Sequence, residues 1–124
     1  MIEQTRFGTR KRVHQHFDEA VQRTKRALAE QALNVVSEVN LPSTGPKCTL
    51  LGAWTALSSR AVEREPDVGA ILQSNVVIYE ESAGKCIVSA VDPFCALEAA
   101  GPDAFIEEAV LDSRERLQRA FETL

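Results

Sequence analysis

Two β-branched runs, NVVIYEE at 75–81 and KCIVSAV at 85–91, stand three residues apart in this chain. Valine, isoleucine and tyrosine at that density favour a pleated strand, and Gly84 in the intervening SAG can take positive φ. The pair predicts a hairpin closed by a three-residue loop. Successive side chains of a strand point to opposite faces, so Val76 and Ile78 share one face and Val77 and Tyr79 the other. Strands apolar on both faces belong at the centre of a sheet rather than at its edge.

The rest of the chain is read around that hairpin. Residues 5–14 read as a first strand whose alternation is blurred by charge. Asp18 is placed to cap a helix over 18–32, with Phe17 before it as an apolar anchor. Val21, Leu28 and Ala32 form its buried stripe. A strand over 33–41 follows directly. LPSTGPK at 41–47 is a loop, and KCTLLGAWT at 47–55 is an apolar strand. Gly52 inside that strand marks a bulge or a close approach of backbone. A short helix ends before Pro66, and DVGAIL is an irregular apolar connector. After the hairpin, DPFCALEAAGPD gives a turn, a short helical stretch and a break. Gly101 and Pro102 suit a helix start, with proline at the first helical position. The last helix spans about 103–123, with Ile106, Ala109, Val110, Leu117, Ala120, Phe121 and Leu124 on its buried stripe. Acidic residues fill its first turns and arginines its last, which complements the helix dipole.

The order β-α-β-β-(short α)-β-β-α predicts an α+β protein: a single antiparallel-dominated sheet with helices packed on one face. At 124 residues the chain is read as one domain, 1–124. A chain of this mass buries roughly two-thirds of its extended surface, enough for a core without disulfides or a structural metal. Hydrophobic residues at 44% and charged residues at 26% argue against disorder. No apolar run approaches the roughly 20 residues of a membrane span, and the N-terminus lacks a secretory apolar stretch. A cytoplasmic protein without membrane attachment is expected.

The net charge of −4 is unevenly spread. Residues 1–16 carry Arg6, Arg10, Lys11 and Arg12 against Glu3 alone, and the remainder is acidic. An acidic body binds nucleic acid and anionic membranes poorly. The basic strip is the one segment suited to phosphates, and it lacks the interleaved aromatics of a nucleic-acid surface. A solvated, charge-protected edge strand is the preferred reading there.

Chemistry is sparse. There is no dinucleotide or phosphate-loop glycine pattern and no GxSxG elbow. His14 and His16 share a strand face, but no third ligand stands nearby and the adjacent cations repel a metal. Cys48, Cys86 and Cys95 have no pairing motif and read as reduced, partly buried thiols. Cys86 sits beside Lys85, yet its alternation with Val88 and Ala90 suits a core face. Asp92 with Pro93 reads as a stiffened turn. An acid or ligand anchor there, with Asn75 or Ser89, is the enzymatic alternative. Glu80 and Glu81 lie too far along the hairpin to join it. Trp54 and Tyr79 read as core or as aromatic anchors of an interface or ligand pocket.

The hairpin NVVIYEE…IVSAVDP follows EREPDVGAIL and precedes the charged helix SRERLQRAFETL. With DEAVQRTKRALAEQ leading into VVSEVNL, the chain resembles the bacterial and archaeal family known as domain of unknown function 302, from about residue 10 to the end. That resemblance implies a compact α+β fold and a homodimer, and it implies no reaction. Family members often carry cysteine in a stretch like LGACNP, where this chain has LGAWTA with Trp54. They commonly carry another before the asparagine of the NVV strand, here Ser74. A glycine typical of the first helix's end is Ala32. Cys48, Cys86 and Cys95 stand elsewhere and inherit no role.

The expectation is a homodimeric module that binds a small molecule or a protein partner without catalysis or cofactor. Its candidate ligand residues are Asn75, Ser89, Asp92, Trp54 and Tyr79. The alternatives are an enzyme acting at Asp92–Pro93 and a weak nucleic-acid contact through the basic N-terminal residues.

Overall fold

The computed structural model describes residues 1–42, 45–101 and 103–124. Its strands are β1 (Ile2–Gln4), β2 (Gly8–Val13), β3 (Asn34–Asn40), β4 (Cys48–Trp54), β5 (Ser74–Ser82) and β6 (Lys85–Val91). They form one sheet in the order β1-β2-β6-β5-β4-β3, with every neighbouring pair antiparallel. The helices are α1 (Phe17–Glu30), α2 (Ala56–Arg64), α3 (Gly69–Leu72), α4 (Cys95–Ala100) and α5 (Ala104–Glu122). The architecture is α+β, and the β-branched hairpin occupies the two middle positions of the sheet, where strands apolar on both faces belong.

One face carries the main core. Val76, Ile78, Cys86, Val88, Ala90, Leu51, Ala53 and Val13 meet Phe17, Ala20, Val21, Ala27 and Leu28 of α1 and Leu117, Ala120 and Phe121 of α5. Each fully buried valine, leucine, isoleucine or phenylalanine contributes about 1.5–3 kcal/mol. A smaller cluster sits at one end of the sheet, where α2, α3 and α4 bury Ala61, Leu72 and Ala96 against Ile106 and Val110 of α5. With its 19 residues, α5 is about 28 Å long. That length lets it serve both clusters.

Several local expectations are corrected. The first strand is shorter than 5–14, and β1 precedes it as an unanticipated partner. Thr5 Oγ1 accepts from Phe7 N and Gly8 N and turns the chain between them. The blurred alternation of β2 has a reason. Arg10 and Arg12 face outward beside Glu3, while Lys11 faces inward and reaches the end of α5. Helix α1 starts one residue before Asp18, on His16, without a side-chain cap. Asp18 acts from the first turn through the helix dipole instead.

Helix α1 also ends earlier than residue 32. Ala32 N donates to Ala29 O and Leu33 N to Leu28 O, both at 3.0 Å. This is a Schellman closure, and both of its leucines are fully buried in the main core. It requires Ala32 to adopt φ 56°, so Ala32 leaves the buried stripe and is exposed.

DVGAIL is not irregular. Pro66 opens a 3₁₀ turn over Pro66–Val68 that runs into α3, burying Val68 and Leu72. The start of α5 is set by Asp103, whose Oδ1 accepts from Phe105 N at 2.9 Å and Ile106 N at 3.1 Å. The proline expected at the first helical position, Pro102, lies outside the described residues. At Gly52 the bulge is in the partner strand, where β3 shifts register between Val35 and Ser37 opposite it.

Candidate ligand site at the end of the sheet

Val76 of β5 stands opposite Ala90 of β6. Continuing that register puts Asn75 beside Val91, and Ser74 beside Asp92. Helix α3 arrives at this point, α4 leaves from it, and α5 closes it with Val110 and Ser113. The elements enclose a cavity of about 170 Å³ with Gln73, Ser74, Asn75, Asp92, Cys95 and Ser113 in its polar wall and Leu72, Ala96 and Val110 in its apolar one.

Asp92 performs the turn role read from its position before proline. Its Oδ1 accepts from Phe94 N at 3.0 Å, and its backbone carbonyl accepts from Cys95 N at 3.1 Å. Arg114 of α5 brings Nε to 3.6 Å from the same carboxylate and lays its guanidinium 4.3 Å from the Phe94 ring centre. Asp92 therefore ties the sheet end to α5 and also lines the cavity.

Asn75 and Trp54 meet through Gln73. Gln73 Nε2 donates to Asn75 Oδ1 at 2.9 Å, and the Trp54 indole donates to Gln73 Oε1 at 3.2 Å. Gln73 has no motif around it. Its one sequence signal is that it breaks an apolar connector just before a strand. The buried hydroxyl of Ser113 was likewise hidden, on a helix stripe otherwise apolar. Thr55 Oγ1 accepts from Ser58 N to cap α2, which fixes the chain directly after Trp54.

Ser89 and Tyr79 are elsewhere. Both lie on the outer face of the sheet, opposite the helices. Ser89 pairs with Val77 and donates to Thr9 O at 3.4 Å. Tyr79 pairs with Ile87 and Cys48 and interacts with Arg10. The five candidate residues thus divide, with Asn75 and Asp92 on the cavity, Trp54 behind Gln73, and Ser89 and Tyr79 outside. Glu80 stands opposite Cys86, and Glu81 binds Arg12, both at the far end of the hairpin from Asp92.

On that outer face Leu50, Val77, Tyr79 and Ile87 belong to neither core cluster. Val39 and Val91 extend it at 49% and 51% exposure. Beside it runs a mixed-sign group: Glu3 binds Arg10 at 2.9 Å and Arg12 at 2.6 Å, and Arg12 binds Glu81 at 3.0 Å. The Arg10 hydrogen bond, aided by the charge of both arginines, holds the Glu3 carboxyl below the usual carboxylate range. Lys11 donates to Phe121 O, so three of the four basic side chains in residues 1–16 are engaged within the chain. The guanidinium of Arg6 lies over the Phe7 ring.

His14 and His16 are both exposed. Among the described residues, no three His, Cys, Asp or Glu side chains converge. Burial pushes the thiols of Cys48 and Cys86 up, the latter further beside Glu80, which disfavours a reactive thiolate at either. Cys95 is exposed at the cavity.

Ala53 pairs with Ser74, so the two positions at which the resemblance expects cysteine, 54 and 74, are near neighbours here and flank Gln73. No curated protein matches the chain. In structure it is similar to an uncharacterized conserved protein DUF302 from Bacillus stearothermophilus, with a TM-score of 0.74 at 17% identity over 95% of this chain and 98% of that one. Residues 9–124 match the family described as domain of unknown function DUF302. That match spans all of the described structure except β1, its turn and the first residue of β2, and the chain belongs to the DUF302 family.

Proposed function

We propose that this chain is a cytoplasmic homodimeric module that binds a small molecule or a protein partner and performs no catalysis. The observation that carries the reading is the outer face of the sheet, where half-buried Leu50, Val77 and Tyr79 lie between exposed Val39 and Val91 around a buried Ile87, and none of them belongs to the helix-packed core. Contiguous apolar surface of this kind marks an interaction site. The accessible surface, 7269 Å², exceeds the roughly 6,600 Å² usual for a monomer of this mass. A second copy suits the face. A two-fold axis brings each surface onto itself, and Glu3, Arg10, Arg12 and Glu81 offer two charges of each sign. Three free thiols accord with a reducing compartment, and no helix among the described residues is long and apolar enough to cross a membrane. Asp92, the acid of the enzymatic alternative, is committed to its turn and to Arg114.

Sedimentation velocity tests this directly. The wild-type chain is expected as a dimer, and Val77→Asp as a folded monomer with an unchanged circular dichroism spectrum. A wild-type monomer at micromolar concentration would reject the proposal.

A further inference from the structure

We propose that the open edge of β3 is a second self-association surface, on which β3 of another copy pairs antiparallel about a two-fold axis at Val39. This goes beyond the sheet-face contact above and does not use Val77, Tyr79 or Ile87. Among the described residues β3 pairs with β4 alone, and all of its residues but Val35 are exposed. The opposite edge of the sheet is protected: β1 is three residues long, and its Glu3 binds Arg10 and Arg12. In contrast, β3 has seven residues, no lysine, arginine or proline, and a single charge at Glu38. Its register shift between Val35 and Ser37 confines regular pairing to the stretch from Ser37 onward.

The ladder fixes which groups of that stretch face outward. Leu41 N donates to Cys48 O at 2.9 Å, so Leu41, Val39 and Ser37 turn their backbone groups toward β4. The N–H and C=O groups of Glu38 and Asn40 point away from the sheet. Few two-fold registers pair those residues. An axis at Glu38 sets two carboxylates opposite each other. An axis at Asn40 sets Glu38 opposite Pro42, which has no N–H to give. An axis at Val39 sets Glu38 opposite Asn40 in both directions, so each residue exchanges its N–H and C=O with the other copy. The side chains agree with that register. Asn40 Oδ1 accepts from Thr49 Oγ1 at 2.8 Å, which leaves the Asn40 amide N–H groups to donate to Glu38 of the other copy. Glu38 gives Oε1 to Lys25 at 2.8 Å and keeps Oε2 for that contact. Val39 meets Val39 of the other copy on the outer face, a close cross-strand pair that continues the apolar surface from Leu50 of one copy to Leu50 of the next.

The test is disulfide trapping in the full-length chain carrying Cys48→Ser and Cys95→Ser. A contact of this size is weak, so it is tested at several hundred micromolar, above the range used for the sheet-face contact. In the proposed register the two Val39 Cα atoms stand about 4.5 Å apart, within disulfide reach. Mild oxidation should link Val39→Cys about tenfold more than Ser37→Cys, whose two copies stand roughly 14 Å apart along the strands. Wild-type sedimentation should shift to larger species between micromolar and several hundred micromolar protein. Asn40→Pro removes an outward N–H without touching the β4 ladder, and it should abolish that shift with an unchanged circular dichroism spectrum. Val39→Lys serves the same purpose should Asn40→Pro misfold. Equal linking of Val39→Cys and Ser37→Cys, no linking of either, or wild-type sedimentation that does not change over that range would overturn the proposal. Linking of Val39→Cys should persist in a Val77→Asp chain, and its loss there would also overturn it. A wild-type monomer at micromolar concentration strikes the sheet-face contact alone, and the linking result still decides the edge.

Discussion

Lys11 Nζ lies 2.9 Å from the carbonyl of Phe121, joining the second strand to the last turn of the last helix. A second, longer contact reaches Glu122 O at 3.5 Å. The ammonium adds a second donor to Phe121 O, which already accepts from Leu124 N at 3.2 Å, and its charge opposes the negative end of the helix dipole. Lys11→Met should therefore cost about 1–2 kcal/mol. Urea denaturation should show a lower midpoint with an unchanged slope, and Lys11→Arg should keep most of the wild-type stability.

Ala32 holds a backbone conformation, φ 56°, that suits glycine. The left-handed region costs an L-residue about 1–2 kcal/mol, offset in part by glycine's larger unfolded entropy. Ala32→Gly should stabilise the protein by about 0.5–1 kcal/mol. Thermal unfolding would show it, and a decrease in stability would contradict the Schellman geometry.

Gly8 and Gly52 should respond differently to alanine. A Cβ on Gly8 would meet Ala90 O, Asp92 N and Val91 C, all backbone atoms of β6 and its exit. Backbone has no room to yield, so Gly8→Ala should cost about 1–3 kcal/mol and loosen the Asp92 turn. A Cβ on Gly52 meets only the ends of the Ser37 and Gln73 side chains. Gly52→Ala should cost less and act mainly by moving Gln73. Denaturant midpoints of the two variants, measured together, test the order.

The cysteines predict an alkaline effect. Burial raises the thiol of Cys86 above its ordinary value. The unfolded chain then ionises this thiol first, near about pH 8.5. Its contribution to stability is full below that value and declines as pH rises through it toward the folded value. Cys86→Ala should flatten the loss of stability between neutral pH and about pH 9.5. In alkylation of the native protein, exposed Cys95 should react well before Cys86, read by peptide mass.

The α+β architecture and the central hairpin were legible because β-branched runs carry a period and a two-faced apolar load. What escaped was set by contacts distant in sequence. Nothing around Ile2–Gln4 announces a strand, since three residues carry no period, and its pairing depends on Arg10 and Arg12 facing Glu3. Gly52 was legible as a bulge or a close backbone approach because it interrupts an apolar run, but the bulge lies in β3 opposite it and the atoms nearest it are side-chain ends. Gly8 was not, lying in a charged segment with no pattern to interrupt. Asp92 and Asn75 reach one cavity because both mark ends of hairpin strands. Ser89 and Tyr79 share the outer face with Asn75 by strand alternation, and they do not join it because they stand further along the strands, away from the end where Asn75 borders the cavity. Gln73 and Ser113 come from the connector and the last helix, and only the folded chain brings them to that point.

The chain has a single tryptophan, and its indole N–H is held by Gln73, a residue that also lines the cavity. That makes Trp54 a built-in optical reporter. Anything that displaces the Gln73 amide alters the polarity around the indole and shifts its emission. Occupancy at the end of the sheet becomes readable in unlabelled protein, free of interference from any second fluorophore of the same kind.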